Sequence, residues 1–301
     1  MLKKLNLFNP EKSDVKYKIS SFPDGQQTID LETGYNYDKA NIVIQSRMTS
    51  FRDVELIICA NQALKNMGVK NVGLFVPYFI GARSDRKFQE GGSNYLKQVI
   101  CPIINSQNFF AVTVLDPHSD VLEACLNNFV KIDNIPLVKY ALTNIDNKNN
   151  ARERICLVSP DAGAYKKIFD VAKHFQIENI ITANKVRDVK TGQIVKTEVP
   201  NLPGSIGDPD SVNDGMQYVI IDDICDGGRT FIELAKVIKK ERISAKIYLV
   251  VTHGIFSAGL KELNKYFDGI FTTNSYCSKN DNEFTIKNDN ELYKLEQLNV
   301  F

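Results

Sequence analysis

The stretch YVIIDDICDGGRT, Tyr218 to Thr230, drives a run of apolar and aromatic residues straight into two adjacent aspartates and then, four positions on, a glycine pair. An apolar run of this length reads as a parallel strand covered on both faces, which would bring Asp222 and Asp223 out at its carboxyl end. That edge is where open α/β sheets hold ligands. Two neighbouring carboxylates repel, so they need a polar or cationic partner, and a sugar diol or a metal ion would serve. In DGGRT, Asp226 to Thr230, two glycines free the backbone to turn its N–H groups inward. The helix that follows, read over 230–240, adds its positive end, and Thr230 adds a hydroxyl. A diol site beside a phosphate cradle describes a phosphorylated pentose.

Outward from this stretch, short apolar runs alternate with helical periods from about residue 40. Strands are expected in 41–46, 71–79, 109–116, 154–161, 178–184 and 245–254, with helices over 53–66 and 94–105. This alternation means βαβ units and mainly parallel sheets flanked by helices, an α/β fold. The polar segment 144–154, NIDNKNNARER, divides the chain into two similar lobes, 1–143 and 144–301. Each lobe sets a polar cluster just after a hydrophobic strand. Between Lys185 and Val199 a Thr191–Gly192 turn flanked by alternating residues predicts a β-hairpin flap, followed by a Pro/Gly/Asp-rich loop over 200–215.

Composition removes several classes of function. The 301 residues are 43% hydrophobic and 24% charged, and 37 Lys plus Arg face 36 Asp plus Glu. No bulk charge therefore argues for nucleic acid or an anionic membrane, and any anion must be held locally. No run reaches the ~18 apolar residues of a membrane span. The six cysteines are scattered without a CxxC pair, as reduced core thiols in a cytoplasmic protein would be. His174, in a Lys-rich helical stretch, reads as surface, and His253, at the end of a strand, as a residue that lines the site.

VIIDDICDGGRT resembles the phosphate loop of type I phosphoribosyltransferases, and specifically that of ribose-phosphate pyrophosphokinases. FPDGQ (22–26), VPYFIGARSDRK (76–87), LDPHSD (115–120), LVSPDAG (157–163), NKVRD (184–188) and VTHGIFS (251–257) fall in that family's order. The resemblance implies two phosphoribosyltransferase-like lobes, the first binding ATP and the second a ribose phosphate. It implies transfer of the β,γ-pyrophosphoryl group of ATP to the anomeric hydroxyl of ribose 5-phosphate, leaving AMP. By the same resemblance His118 and Asp161 bind the Mg²⁺ carried with ATP, and Arg83, Ser84, Asp85, Arg86 and Lys87 grip the polyphosphate. Phe22, Asp24 and Gln26 of another subunit would cover the adenine, which implies a homo-oligomer. Lys185 and Arg187, on the flap, would stabilise the transition state. Asp222 and Asp223 would hold the ribose hydroxyls, with Asp226, Gly227, Gly228, Arg229 and Thr230 around the 5-phosphate.

The sequence departs from the family in four places. Gln26 stands where Glu is common, Ser84 where Gln is, and the lead from Leu5 to Phe22 lacks a first helix, which weighs against the usual hexamer. Arg229 replaces a small residue in the phosphate loop. A guanidinium there could take a second phosphate. An acceptor carrying a 5-diphosphate, such as ADP-ribose, is thus a second reading, which would put the chain in NAD metabolism. A phosphoribosyltransferase and a non-catalytic partner of a synthetase are further alternatives.

Overall fold

The computed structural model describes residues 2–34, 40–146, 154–187, 194–199, 215–279, 281, 284 and 294–301. They divide into two compact units, Met1–Asp133 with Val300–Phe301, and Asn134–Asn299. This boundary precedes the expected 143/144. Residues of the expected linker belong to a helix, Ile135–Asp146, whose Leu137, Val138, Ala141 and Ile145 are buried in the core of the second unit.

In the first unit, β1 (Leu2–Asn6) is followed by a hairpin of β2 (Tyr17–Ser21) and β3 (Gln27–Leu31), then by β4 (Asn41–Gln45), α1 (Phe51–Asn66) and β5 (Asn71–Phe75). After them come α2 (Cys101–Ser106), β6 (Val112–Leu115), α3 (Val121–Cys125) and β7 (Phe129–Ile132). The five-stranded sheet has the order β1-β4-β5-β6-β7, every pairing parallel. α1 starts where Ser50 and Asp53 cap each other reciprocally, an arrangement that contributes about 1 kcal/mol. It buries Val54, Ile57, Ala60 and Leu64, the three-and-four spacing of one helical face. The helix expected over 94–105 is a π-helical turn, Leu96–Ile100, running straight into α2, whose second residue is Pro102. The expected strand 71–79 stops at Phe75, two residues before Pro77. Between residues 2 and 34 the one helical element is a 3-10 turn, Pro10–Lys12, so the lead does lack a first helix.

The second unit runs α4 (Ile135–Asp146), β8 (Ile155–Ser159), α5 (Tyr165–Phe175), β9 (Asn179–Thr182), β10 (Asn184–Arg187), β11 (Ile194–Glu198) and β12 (Gln217–Cys225). It continues with α6 (Arg229–Glu241), β13 (Lys246–Gly254), α7 (Lys261–Tyr266), β14 (Gly269–Thr273) and β15 (Leu295–Leu298). Its parallel sheet has the order β15-β14-β13-β12-β8-β9. Alternate strand residues supply two cores: Val219, Ile221 and Val250 pack with α4 and α5, while Tyr218, Ile220 and Leu249 pack with α6. Each such aliphatic side chain contributes about 1.5–3 kcal/mol on burial. β10 and β11 pair antiparallel as the expected hairpin and with no other described strand. Its Thr191–Gly192 turn and nearly all of the loop after it lie outside the described residues.

Candidate functional site

The strand order of the second sheet reverses beside β8: the chain leaves β8 for β9 on one side and returns to β12 on the other. Ligands of open α/β sheets bind in the crevice such a reversal leaves at the carboxyl edge. β12 pairs with β8 only from Gln217 to Ile220, whereas its pairing with β13 continues to Cys225. The diacid therefore lies inside β12, short of its last residue, Cys225, rather than at its very end as the apolar run suggested. β13 carries the strand past the point where β8 turns away. Among the described residues, Asp222 and Asp223 consequently occupy a segment of β12 with no strand paired on the β8 side.

The Asp223 amide donates to Asp222 Oδ1 at 2.9 Å, and Asp223 is 6% exposed. Burial, and then the charge of Asp223, push the Asp222 carboxyl well above the usual carboxylate range. The Asp223 amide and the Lys167 ammonium pull it the other way. Lys167, on α5, is a cation that the sequence reading missed. Nothing in the sequence separates it from its solvent-facing neighbours Lys166 and Lys173.

Downstream of the pair, Gly228 has φ +77° and caps α6, and a β-carbon there would lie 2.9 Å from Leu263. Arg229 is the first residue of α6 and is exposed, with Thr230 next, so the helix starts one residue earlier than expected. The first amides of a helix have no intrahelical acceptors and form a positive end suited to an anion. Asp226 Oδ1 accepts from Ser257 Oγ at 2.5 Å. Across the reversal, after β8, Asp161 Oδ1 accepts from the Ala164 amide at 3.1 Å and so caps the turn leading into α5. His253 is buried on β13 with Nδ1 2.8 Å from Ser275 Oγ, in the core rather than lining the site as expected. His174 is exposed, as expected.

In the first unit, the loop after β5 and the loop after β6 come together. Ser119 Oγ donates to Asp85 Oδ2 at 2.8 Å, next to exposed His118, while Asn94 Nδ2 holds the Asp85 carbonyl at 2.7 Å. Arg83, Arg86 and Lys87 are exposed on the same loop, and the Arg86 guanidinium lies over Phe88, 5.7 Å from the ring centroid. Ser84 closes the turn by donating its amide to the Gly81 carbonyl. Phe22, Asp24 and Gln26 form the tip of the β2–β3 hairpin. There Phe22 N donates to Gln26 O and Gln26 N to Asp24 Oδ1, and the Phe22 ring is 55% exposed. Lys185 and Arg187 lie on β10, whose register with β11 shifts between Val186 and Arg187.

A parallel sheet with a reversal beside β8, an acidic pair at its carboxyl edge and a glycine-capped helix define a phosphoribosyltransferase-type lobe. The family model described as phosphoribosyl transferase domain matches residues 133–284, over half of the chain, and the chain belongs to that family. The resemblance to ribose-phosphate pyrophosphokinases holds in the relatives as well. The chain is 25% identical over 241 residues to the ribose-phosphate pyrophosphokinase of Marinomonas sp. (strain MWYL1), a match covering 79% of this chain and 71% of that one. It is 27% identical over 270 residues to that of Mycoplasmopsis pulmonis (strain UAB CTIP), covering 87% and 78%. The fold is that of the phosphoribosylpyrophosphate synthetase from Mycobacterium smegmatis, with TM-score 0.76 at 14% identity over 99% of this chain and 94% of that one.

Proposed function

We propose that the protein transfers the β,γ-pyrophosphoryl group of ATP to the anomeric hydroxyl of a 5-phosphorylated ribose. With ribose 5-phosphate the products are phosphoribosyl pyrophosphate and AMP. The observation that carries this reading is the stretch of β12 beyond Ile220, where, among the described residues, Asp222 and Asp223 have no strand paired on the β8 side and lead into the glycine-capped start of α6. The second unit would hold the acceptor, with the diacid accepting from the ribose 2- and 3-hydroxyls and the amides of Gly227 to Thr230 donating to the 5-phosphate. The first unit would hold ATP through Arg83, Ser84, Asp85, Arg86, Lys87 and His118. Phe22, Asp24 and Gln26 of another subunit would cover the base in a homo-oligomer. The six free thiols suit a reducing cytoplasm.

In the reaction, the anomeric oxygen bonds to the β-phosphorus as the bridge between β-phosphorus and AMP breaks, and the hydroxyl proton passes to water. Charge spreads over the transferred phosphoryl oxygens, so cations matter more than covalent help. Lys185 and Arg187 on the flap would supply two. Among the described residues no three His, Cys, Asp or Glu side chains gather as a dedicated cage. Mg²⁺ carried with ATP needs no such cage, since it takes one or two protein ligands and completes its shell with water and phosphate oxygens. His118 in the first unit and Asp161 in the second would each be a ligand for Mg²⁺, which when bound would screen phosphate charge and orient the transferred group.

The test is to follow AMP release with ATP, Mg²⁺ and either ribose 5-phosphate or ADP-ribose. No AMP with either sugar would remove the reading in favour of a transferase or a binding partner. One observation favours the larger acceptor: Arg229, exposed at the first position of α6, adds a guanidinium to the phosphate loop. If a diphosphate is bound, Arg229→Ala lowers kcat/KM for ADP-ribose by about 10- to 100-fold, the loss expected from one charge-assisted contact. The effect on ribose 5-phosphate is smaller. Equal losses for the two sugars in steady-state rates would leave ribose 5-phosphate as the acceptor.

A further inference from the structure

VTHGIFS (251–257) contributes none of the substrate contacts assigned to the two units. β13 ends at Gly254, and the next three residues fold onto the back of the phosphate loop. The amides of Ile255 and Phe256 both donate to the Cys225 carbonyl, at 2.9 and 3.1 Å. The Ser257 amide donates to the Asp226 carbonyl at 3.2 Å, and the Ser257 hydroxyl to Asp226 Oδ1. The Ser257 hydroxyl also lies against Gly227, 3.7 Å from where a β-carbon would stand.

From the other side this segment is fixed by β14 and the turn after it. Thr273 Oγ1 donates to the Thr252 carbonyl at 2.7 Å, Ser275 Oγ meets His253 Nδ1 at 2.8 Å, and Cys277 Sγ reaches the Gly254 carbonyl at 3.0 Å. Gly254 is obligatory here, since a β-carbon would fall 2.2 Å from the Phe256 ring. Phe256 itself has φ +48°, a conformation a non-glycine residue holds only when its surroundings enforce it.

An anion cradle must present N–H donors and keep acceptors turned away. The Cys225 and Asp226 carbonyls and the Asp226 carboxylate are the acceptors closest in sequence to the cradle, and all three are engaged from behind by residues 255–257. The carboxylate is the most damaging of them, because its charge opposes a phosphate directly. We propose that Ser257 is a positioning residue for the acceptor's phosphate: its amide and hydroxyl hold Asp226 back, so that the loop from Gly227 to Thr230 meets the anion with donors. The inference rests on the assignment of that loop to a sugar phosphate.

The experiment compares wild type, Ser257→Ala, Ser257→Thr and the double variant Ser257→Ala/Asp226→Asn by initial rates with ATP and Mg²⁺, varying ribose 5-phosphate. ADP-ribose is used instead if the wild type accepts only that sugar. Ser257→Ala is expected to raise the sugar KM by about 10- to 100-fold, the range for losing a hydrogen bond to a charged group, while the ATP KM and kcat at saturating sugar hold. Ser257→Thr restores the sugar KM, and adding Asp226→Asn to Ser257→Ala recovers part of it, because the released charge is gone. An unchanged sugar KM in Ser257→Ala overturns the proposal. So does a parallel loss in kcat and both KM values that neither Thr nor the second substitution relieves, which marks a merely structural role. If Ser257→Ala does not give a cooperative thermal transition, the Thr variant decides alone: a raised sugar KM despite a retained hydroxyl contradicts the assignment. A wild type that converts neither sugar brings down the underlying functional reading instead, and the proposal with it.

Discussion

Lys185→Ala lowers kcat by about 10³-fold with ATP affinity held, if the flap carries the transition-state cation; losses of this size follow removal of a preorganised charge that acts only as the reaction proceeds. Lys185 lies on β10, which pairs with β11 alone among the described strands; the register shifts between Val186 and Arg187, with the extra residue, Val195, on β11. A cation on a flap that closed over the bound substrate would act together with the exclusion of water. Single-turnover rates with saturating ATP give kcat, and calorimetry with a non-hydrolysable ATP analogue gives affinity. A kcat within a few-fold of wild type would take the flap out of the chemistry. A kcat loss matched by an equal loss of nucleotide affinity would make Lys185 a ground-state ligand.

Asp222→Asn is expected to act in opposite directions on activity and stability. Removing one charged acceptor for the ribose hydroxyls lowers kcat/KM for the sugar by about 100-fold, the upper part of the range for a hydrogen bond to a charged group. The same change raises the thermal midpoint of the ligand-free protein at neutral pH, because burial and the Asp223 charge oppose ionisation of Asp222 in the folded state. For a unit of this size each kcal/mol corresponds to about 2–4 °C. The sign follows from proton linkage. The folded protein binds the Asp222 proton more tightly than the unfolded chain does. This contribution to stability is complete below the ordinary carboxylate range and disappears as pH rises through the elevated folded value. The gain in midpoint of Asp222→Asn over wild type should therefore grow from acid to neutral pH in calorimetric scans. A gain that is flat with pH, or a loss at neutral pH, would contradict the electrostatic account of the pair.

The sequence announced the α/β class because the second sheet is buried on both faces, so its strands are uninterrupted apolar runs: YVIID, ICLVS and KIYLVV are legible without any partner. β7 (FVKI) and β15 (LEQL) are edge strands, short and partly exposed, and their residues carry no such signal. The antiparallel β2–β3 hairpin at the start was also not read, because β2 is largely exposed and the pattern that reveals it comes from packing of Ile29 and Gln27 against α1. The linker at 144–154 was misplaced since polarity marks solvent exposure, not domain membership, and α4 is apolar only on the face that joins the second unit. In the site, the diacid, Gly228 and the start of α6 were legible because chemistry and backbone freedom are written locally. Lys167 and Ser257 were not. Each acts across a distance in sequence, from α5 to Asp222 and from residue 257 to Asp226, and only the fold makes those neighbours.

Phosphorus NMR of a reaction containing the protein, ATP, Mg²⁺ and ribose 5-phosphate, repeated with ADP-ribose, decides most directly whether a two-phosphorus unit moves to the anomeric oxygen. The account predicts loss of ATP resonances in step with the appearance of AMP and of a new diphosphate coupled to the anomeric proton. ADP with a singly phosphorylated sugar, or ATP left intact beside both sugars, would contradict it.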